Sequence, residues 1–164
     1  MPGRGVFFAL EAGDEQRLLA LADPKQRAAY VANSIEERWD EAWLHATDEL
    51  WFAVHFCLHG SSGFPVSGSP AEARAVFGGA PLGLPGTYSI DYKDAELTRQ
   101  IASAIGRMKD DAIWARAGLV ERKEYNGPRI ADLQVGVVDE VHALGAFYRR
   151  AADAGRAVVF TVDM

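Results

Sequence analysis

Glu49-Leu50-Trp51-Phe52-Ala53-Val54-His55-Phe56-Cys57-Leu58-His59-Gly60 is the stretch on which the reading of the fold turns. Wound as a helix, the run from Leu50 to Leu58 carries apolar side chains all the way round. A helix without a polar face is buried on several sides, so this one is expected to be the central helix of the fold. Thr47 or Asp48 can cap its start with a side-chain oxygen. Gly60 can end it, because glycine enters the left-handed conformation of a C-terminal cap without a Cβ penalty.

Toward the N-terminus, Val6-Phe7-Phe8-Ala9-Leu10 is a short continuous apolar run after Gly3 and Gly5, and predicts a buried strand. Gly13-Asp14 offers a cap for a helix carrying Leu18, Leu19 and Ala22. Asp23-Pro24 ends it and starts the next, in which Ala28, Val31, Ile35 and Trp39 form one apolar stripe between Lys25 and about Asp40.

Toward the C-terminus the texture changes to glycine, proline and serine from Gly60 to Gly86, with Ala73-Arg74-Ala75-Val76-Phe77 as a candidate strand inside it. Thr87 to Tyr92 alternates as a strand does. Asp94 then caps a helix with Leu97, Ile101, Ala104, Ile105 and Met108 on one face. A shorter helix is predicted over Asp110 to Ala117, ended by Gly118, and Glu121 to Gly127 reads as loop. From Ile130 to Ala151 apolar residues recur by threes and fours, the clearest amphipathic pattern in the chain. Gly136 and Gly145 within it suggest close packing against a neighbour. Gly155 ends that helix, and Ala157 to Val162 is a last β-branched strand.

Strands at both ends and helices between them, without regular βαβ alternation, predict an α+β fold. It has a small sheet including both terminal strands, packed against several helices around the central buried helix, with the helices mainly on one face. At 164 residues the chain is read as a single domain, 1–164, able to bury a sizeable core without staples.

The formal net charge is −6, and no basic stripe of the kind that neutralises phosphates is present, so nucleic acid is not an expected partner. Arg149-Arg150 reads as a solvated helix face. No run reaches the apolar length needed to span a bilayer, and Val6 to Leu10 is too short for a signal-peptide core. The lone Cys57 cannot form an internal disulfide and suits a reducing compartment. The expected location is cytoplasmic.

Several segments together resemble a YfbM-like bacterial family of unknown function. They are Gly5 to Leu10, Ala75-Val76-Phe77-Gly78-Gly79 with Leu82-Gly83, and Ala146 to Ala152 followed by Gly155 and the closing strand. The fourth is Trp51 to Gly60, similar to that family's Trp-x-x-[Leu/Ile]-His-[Phe/Tyr]-x-Leu-x-Gly pattern. The chain departs from the family at Glu49, where a lysine is common, and at Tyr125-Asn126-Gly127-Pro128, which keeps only the proline of a proline–tryptophan segment. The resemblance implies a fold and carries no established activity.

His55 and His59, four residues apart, share one helix face, the spacing two metal ligands need. Cys57 points away, Phe56 stands where a zinc-protease motif has glutamate, and the sequence names no third ligand. The leading reading is structural, with His55 hydrogen-bonded in the core near Trp51 and His59 complementing the helix dipole. A pocket built on Trp51, His55, His59, Gly78 and Gly79 is the functional alternative. No metal and no cofactor are expected.

The stretch from Gly78 to Gly86 lacks the Gly-Lys-Ser/Thr ending of a phosphate loop, and Pro81 and Pro85 remove N–H groups a phosphate would need. Gly60-Ser61-Ser62-Gly63 misses the hydrolase elbow, and Cys57 in an apolar helix reads as inert packing. Glu36, Glu37, Asp40, Glu41, Asp48 and Glu49 read as solvated surface. No catalytic residue is assigned, and the balance is against an enzyme. Trp43, near an irregular break, reads first as core filling, with a partner contact as the candidate functional role.

Two functional readings follow. The first is a non-catalytic protein-binding module, an immunity or antitoxin type among them, whose acidic charge would suit a basic partner. The second is a small-molecule-binding protein or enzyme with a pocket near His55. The sequence does not fix the oligomeric state.

Overall fold

The computed structural model describes residues 3–66, 68–120 and 130–163. The strands are β1 (Gly5–Ala9), β2 (Leu44–Asp48), β3 (Ala80–Pro81), β4 (Tyr88–Lys93) and β5 (Val158–Asp163). The helices are α1 (Ala12–Ala20), α2 (Pro24–Tyr30), α3 (Trp51–His59), α4 (Ala95–Gly106), α5 (Asp110–Ala117) and α6 (Ile130–Asp153). The strands form one antiparallel sheet in the order β2-β1-β5-β4-β3, so both terminal strands lie in it and β5 is central. The fold is α+β.

Strand parity sorts the core into two layers. Phe7 pairs with Phe160, and both point to the layer built by α3, α4, α5 and α6. Val6, Phe8 and Val159 point the other way, onto Leu18, Ala28, Val31 and Ile35. The helices α3 to α6 thus lie on one face, in line with the expectation of helices mainly on one face, while the shorter α1 and α2 cover the second. A continuous apolar run such as Val6 to Leu10 is what a strand covered on both faces requires.

The central-helix expectation is met by α3. Ala53, Val54 and Cys57 are wholly buried, and Trp51, His55, Phe56 and Leu58 nearly so. Its last turn is completed from outside, where Arg116 of α5 donates to the carbonyls of Cys57 at 3.3 Å and Leu58 at 3.5 Å. These are carbonyls a helix end leaves unpaired. Gly60 closes the helix at φ +92°. At the other end Trp51 anchors the N-terminus: its indole Nε1–H donates to the Gly3 carbonyl at 2.7 Å. The ring passes so close to Gly5 that a Cβ there would lie 2.8 Å from it.

The caps at Asp23 and Asp94 form as expected, accepting from the N–H of Lys25 at 2.9 Å and of Leu97 at 2.8 Å. Other local readings are overturned. Residues 44–48, including the proposed cap residues Thr47 and Asp48, are strand β2, and α3 starts without a side-chain cap. Residues 73–77 are not a strand; a short 3-10 turn covers Glu72–Arg74, and pairing resumes only at Ala80 and Pro81. The helix after Pro24 widens into a π-helical turn at Val31–Glu36 and stops before Trp39. That turn brings Glu36, expected on the solvated surface, under the sheet, where it accepts from the hydroxyls of Tyr88 at 2.5 Å and Thr161 at 2.8 Å. Asp14 does not cap α1; it lies buried within it, accepting from Tyr30 at 2.7 Å and Arg38 at 2.5 Å. The predicted loop at residues 121–127 lies outside the described residues.

The two glycines of α6 part company. A Cβ at Gly145 would sit 2.9 Å from Ile105 of α4, whereas one at Gly136 would meet no atom of the described residues within 4 Å. Gly136→Ala is expected to stabilise the protein by up to about 1 kcal/mol, the ordinary helix-propensity gain. Gly145→Ala is expected to destabilise it by about 1–3 kcal/mol through overpacking. Urea unfolding of the two variants beside wild type checks the contrast.

Candidate functional site

In β4, the sequence Tyr88-Ser89-Ile90-Asp91-Tyr92-Lys93 alternates, and pairing with β5 fixes which set faces α3 and α6. Asp91 stands opposite Phe160 and Lys93 opposite Val158, so both charged side chains enter the layer under α3 and α6. Lys93 is wholly buried. Its ammonium donates to the Asp91 carboxylate and to the Val76 carbonyl at 2.8 Å. Burial pushes the Lys93 pKa down, and the carboxylate beside it opposes that shift. Nearby, Tyr148 of α6 donates to the Ala75 carbonyl at 2.5 Å, and complete burial holds its phenol well above the usual range.

Asp91 also closes a loop. Its Oδ2 accepts from the N–H of Gly78 at 3.1 Å, and its Oδ1 from the N–H of Gly79 at 3.0 Å. Gly78 takes φ +120°, a conformation that side chains disfavour. Gly79 runs so near β4 that a Cβ would lie 2.0 Å from the Tyr92 carbonyl oxygen. The glycines that suggested a phosphate loop thus direct these N–H groups at a carboxylate of the same chain.

This arrangement borders a cavity of about 330 Å³. Its wall is mostly apolar, from Phe64, Pro65, Phe77, Pro81, Leu84, Pro85 and Ile90, with Ser89 and Asp91 as its polar side chains. Phe64 is 68 % exposed and meets Phe77 edge to face, with centroids 5.2 Å apart.

The residues singled out from sequence fall into three groups. Gly78 and Gly79 line the cavity. Trp51 and His55 stand behind its wall, each edge-on to Phe77 with ring centroids at 5.7 and 5.4 Å. His59 lies further out, stacked on His55 at 5.3 Å and 8°, with its Nδ1 on the Ser61 hydroxyl at 3.1 Å. Among the described residues no group of three His, Cys, Asp or Glu could hold a metal ion. Cys57 donates to the Ile113 carbonyl at 3.4 Å, and burial pushes its thiol up to about 11.

Trp43 is elsewhere. It is half-buried, with the Arg156 guanidinium 3.6 Å over its ring and that of Arg150 at 6.0 Å. It borders an open groove with Ala146, Arg149, Arg150, Asp153 and Ala154.

His55 supplies a pH prediction. Its Nε2 lies 2.8 Å from the Gly63 carbonyl, a contact that requires the ring N–H there, and the buried Nδ1 has no partner among the described residues. Burial lowers its pKa, with the nearby His59 and Lys93 adding to that effect and the Gly63 bond and Asp91 opposing it. The unfolded state therefore takes up a proton first, and stability falls as pH drops below about 6.5. Relative to His55→Phe, wild type is expected to lose up to about 1.4 kcal/mol per pH unit until the folded-state pKa is passed. Urea unfolding at a series of pH values reads the difference; a constant gap would contradict it.

Asp91, Lys93, Phe64 and Phe77 had no place in the site read from sequence. The alternation of β4 was visible, but period two says only which residues share a face. Which face meets α3 and α6 is set by pairing with β5, more than sixty residues further on.

The pattern described as a domain of unknown function, DUF1877, matches residues 1–161. The chain belongs to that family. Among solved structures, the DUF1877 fold described above is similar to that of YfbM from Escherichia coli, a protein of unknown function, with a TM-score of 0.67. The match covers 99 % of each chain at 17 % identity, a likeness of fold. This bears out the YfbM-like resemblance. No curated protein matches the chain. In the described part of this DUF1877 member, no helix is long and apolar enough to cross a membrane.

Proposed function

We propose that the protein binds a small molecule in the cavity beside Asp91. The observation that carries this reading is a cavity of about 330 Å³ with apolar walls and one carboxylate held in fixed orientation. Ligand sites have this build: apolar surface for affinity and a few oriented polar groups for selectivity, in roughly 300–1,000 Å³. The site extends the pocket expected around Trp51, His55, His59, Gly78 and Gly79, with Phe77 between the first two and the cavity. A thermal-shift screen of metabolites against wild type and Phe64→Ala tests it. Phe64 is largely exposed, so its removal should leave the fold intact. A ligand at a hundred times its Kd stabilises by about 2.7 kcal/mol; that gain should appear in wild type and shrink in the variant. Ligands that stabilise both proteins equally would overturn this location.

A protein-binding role, immunity-type function included, has its own observation at Trp43. Arg150 and Arg156 stand over that ring and Arg149 borders the same groove, and none of the three forms an ion pair among the described residues. Arginine and tryptophan are the residues on which binding energy concentrates. The local charge reverses the expectation drawn from net charge: a partner docking here would present carboxylates. A pull-down comparing wild type with Trp43→Ala and Arg149→Glu/Arg150→Glu tests it. A partner retained equally by all three proteins would exclude this face.

A further inference from the structure

Resting on the cavity reading above, we infer that the ligand is an amine: an apolar, ring-sized body bearing a protonated nitrogen that docks on Asp91.

Charge placement is the first argument. Among the described residues, Asp91 is the only charged one on the cavity wall. Its counter-charge, the Lys93 ammonium, is wholly buried and lies outside that wall. Arg74, the nearest other cation of the loop, donates to the Gly78 carbonyl at 2.9 Å and borders a separate groove. The Asp91–Lys93 pair therefore presents its negative end to the cavity.

Unused acceptor capacity is the second. An ionised carboxylate offers about four lone-pair positions. Among the described residues, Oδ1 takes the Gly79 N–H and Lys93, while Oδ2 takes only the Gly78 N–H. One acceptor position on a rigidly held oxygen remains, and a charge-assisted N–H donor is the strongest partner for it.

The third is what the site would repel. The Gly78 and Gly79 N–H groups that could cradle an anion are spent on Asp91. A carboxylate or phosphate ligand would meet like charge and find neither donor. The Phe64 and Phe77 rings add aromatic surface, which attracts cations by about 0.5–1 kcal/mol at exposed sites. As for size, an apolar cavity of about 150 Å³ holds benzene, so 330 Å³ has room for a ring with a short side chain.

The test is an amide-resolved NMR titration of wild type at pH 7 with phenethylamine, phenethyl alcohol and phenylacetate, which share the ring and differ in charge. Phenethylamine should shift the Phe77, Gly78 and Gly79 amides saturably and bind about tenfold more tightly than the alcohol, one charge-assisted bond's difference. Phenylacetate should bind weakest. Alcohol or acid binding as tightly as the amine at those amides would overturn the amine inference and leave the cavity reading standing. Failure of all three to shift those amides would overturn both. Phe64→Ala should weaken amine and alcohol alike. Asp91→Asn, if its spectrum remains dispersed, should abolish the amine's advantage; an advantage that persists in folded Asp91→Asn would also overturn the inference.

Discussion

Asp91→Ala is expected to destabilise the protein by about 3–5 kcal/mol. The reason is what it strands. Lys93 is wholly buried, and its partners are the Asp91 carboxylate and the Val76 carbonyl. Removing the carboxylate leaves an ammonium in a low-dielectric interior and frees the N–H groups of Gly78 and Gly79 as well. Lys93→Met, similar in length and uncharged, should be milder, since Asp91 keeps both glycine N–H donors. The double variant Asp91→Asn/Lys93→Met should be more stable than Asp91→Ala, because no charge is then buried alone. The pH dependence carries a sign. In Asp91→Ala the folded-state pKa of Lys93 falls further below its unfolded value near 10.4, so the folded state prefers the neutral amine. Part of the deficit at pH 7 should return as pH rises toward 10. Urea unfolding at both pH values reads this; a deficit that does not shrink would mean that Lys93 is not the stranded charge.

The second large effect is expected at Gly79. In Gly79→Ala the new Cβ would fall 2.0 Å from the Tyr92 carbonyl oxygen and 2.8 Å from Asp91 Oδ1. Backbone cannot yield as a flexible side chain can, so β3 must leave β4, and the Gly79 N–H must leave Asp91. A loss of about 3 kcal/mol is expected, at the upper end of overpacking because a hydrogen bond goes with it. Gly86→Ala is the control: φ there is +70°, yet no atom lies within 4 Å of the added Cβ. It should lose about 1–2 kcal/mol from the left-handed conformation alone. Equal losses in the two variants would show that close approach is not what Gly79 provides.

Both effects concern residues whose importance the sequence half discloses. The glycines at 78 and 79 stood out, and the prolines at 81 and 85 argued against a phosphate cradle. What those N–H groups bind instead depends on a carboxylate twelve or thirteen residues away. His55 and His59 show the limit from the other side. Their four-residue spacing placed them together, and they are together, stacked at 5.3 Å. Spacing along one helix could not say that Phe77 would stand between His55 and the cavity, because residue 77 arrives through a loop of irregular backbone.

The sequence by itself determined the α+β class, the buried α3, the Asp23 and Asp94 caps, the stripe of α6 and the terminal strands. Each of these rests on local periodicity or on one side chain bonding the backbone a few residues on. Only the tertiary structure decided that β2 and β3 exist, that α1 and α2 cover the second face, and that Asp91 and Lys93 are buried. Strand β2 forms because β1 offers it an edge, and β3 because β4 does. Lys93 is inside because β5 orients its strand and Asp91 compensates its charge. Local physics fixes which residues share a face; what covers that face is supplied by segments far along the chain.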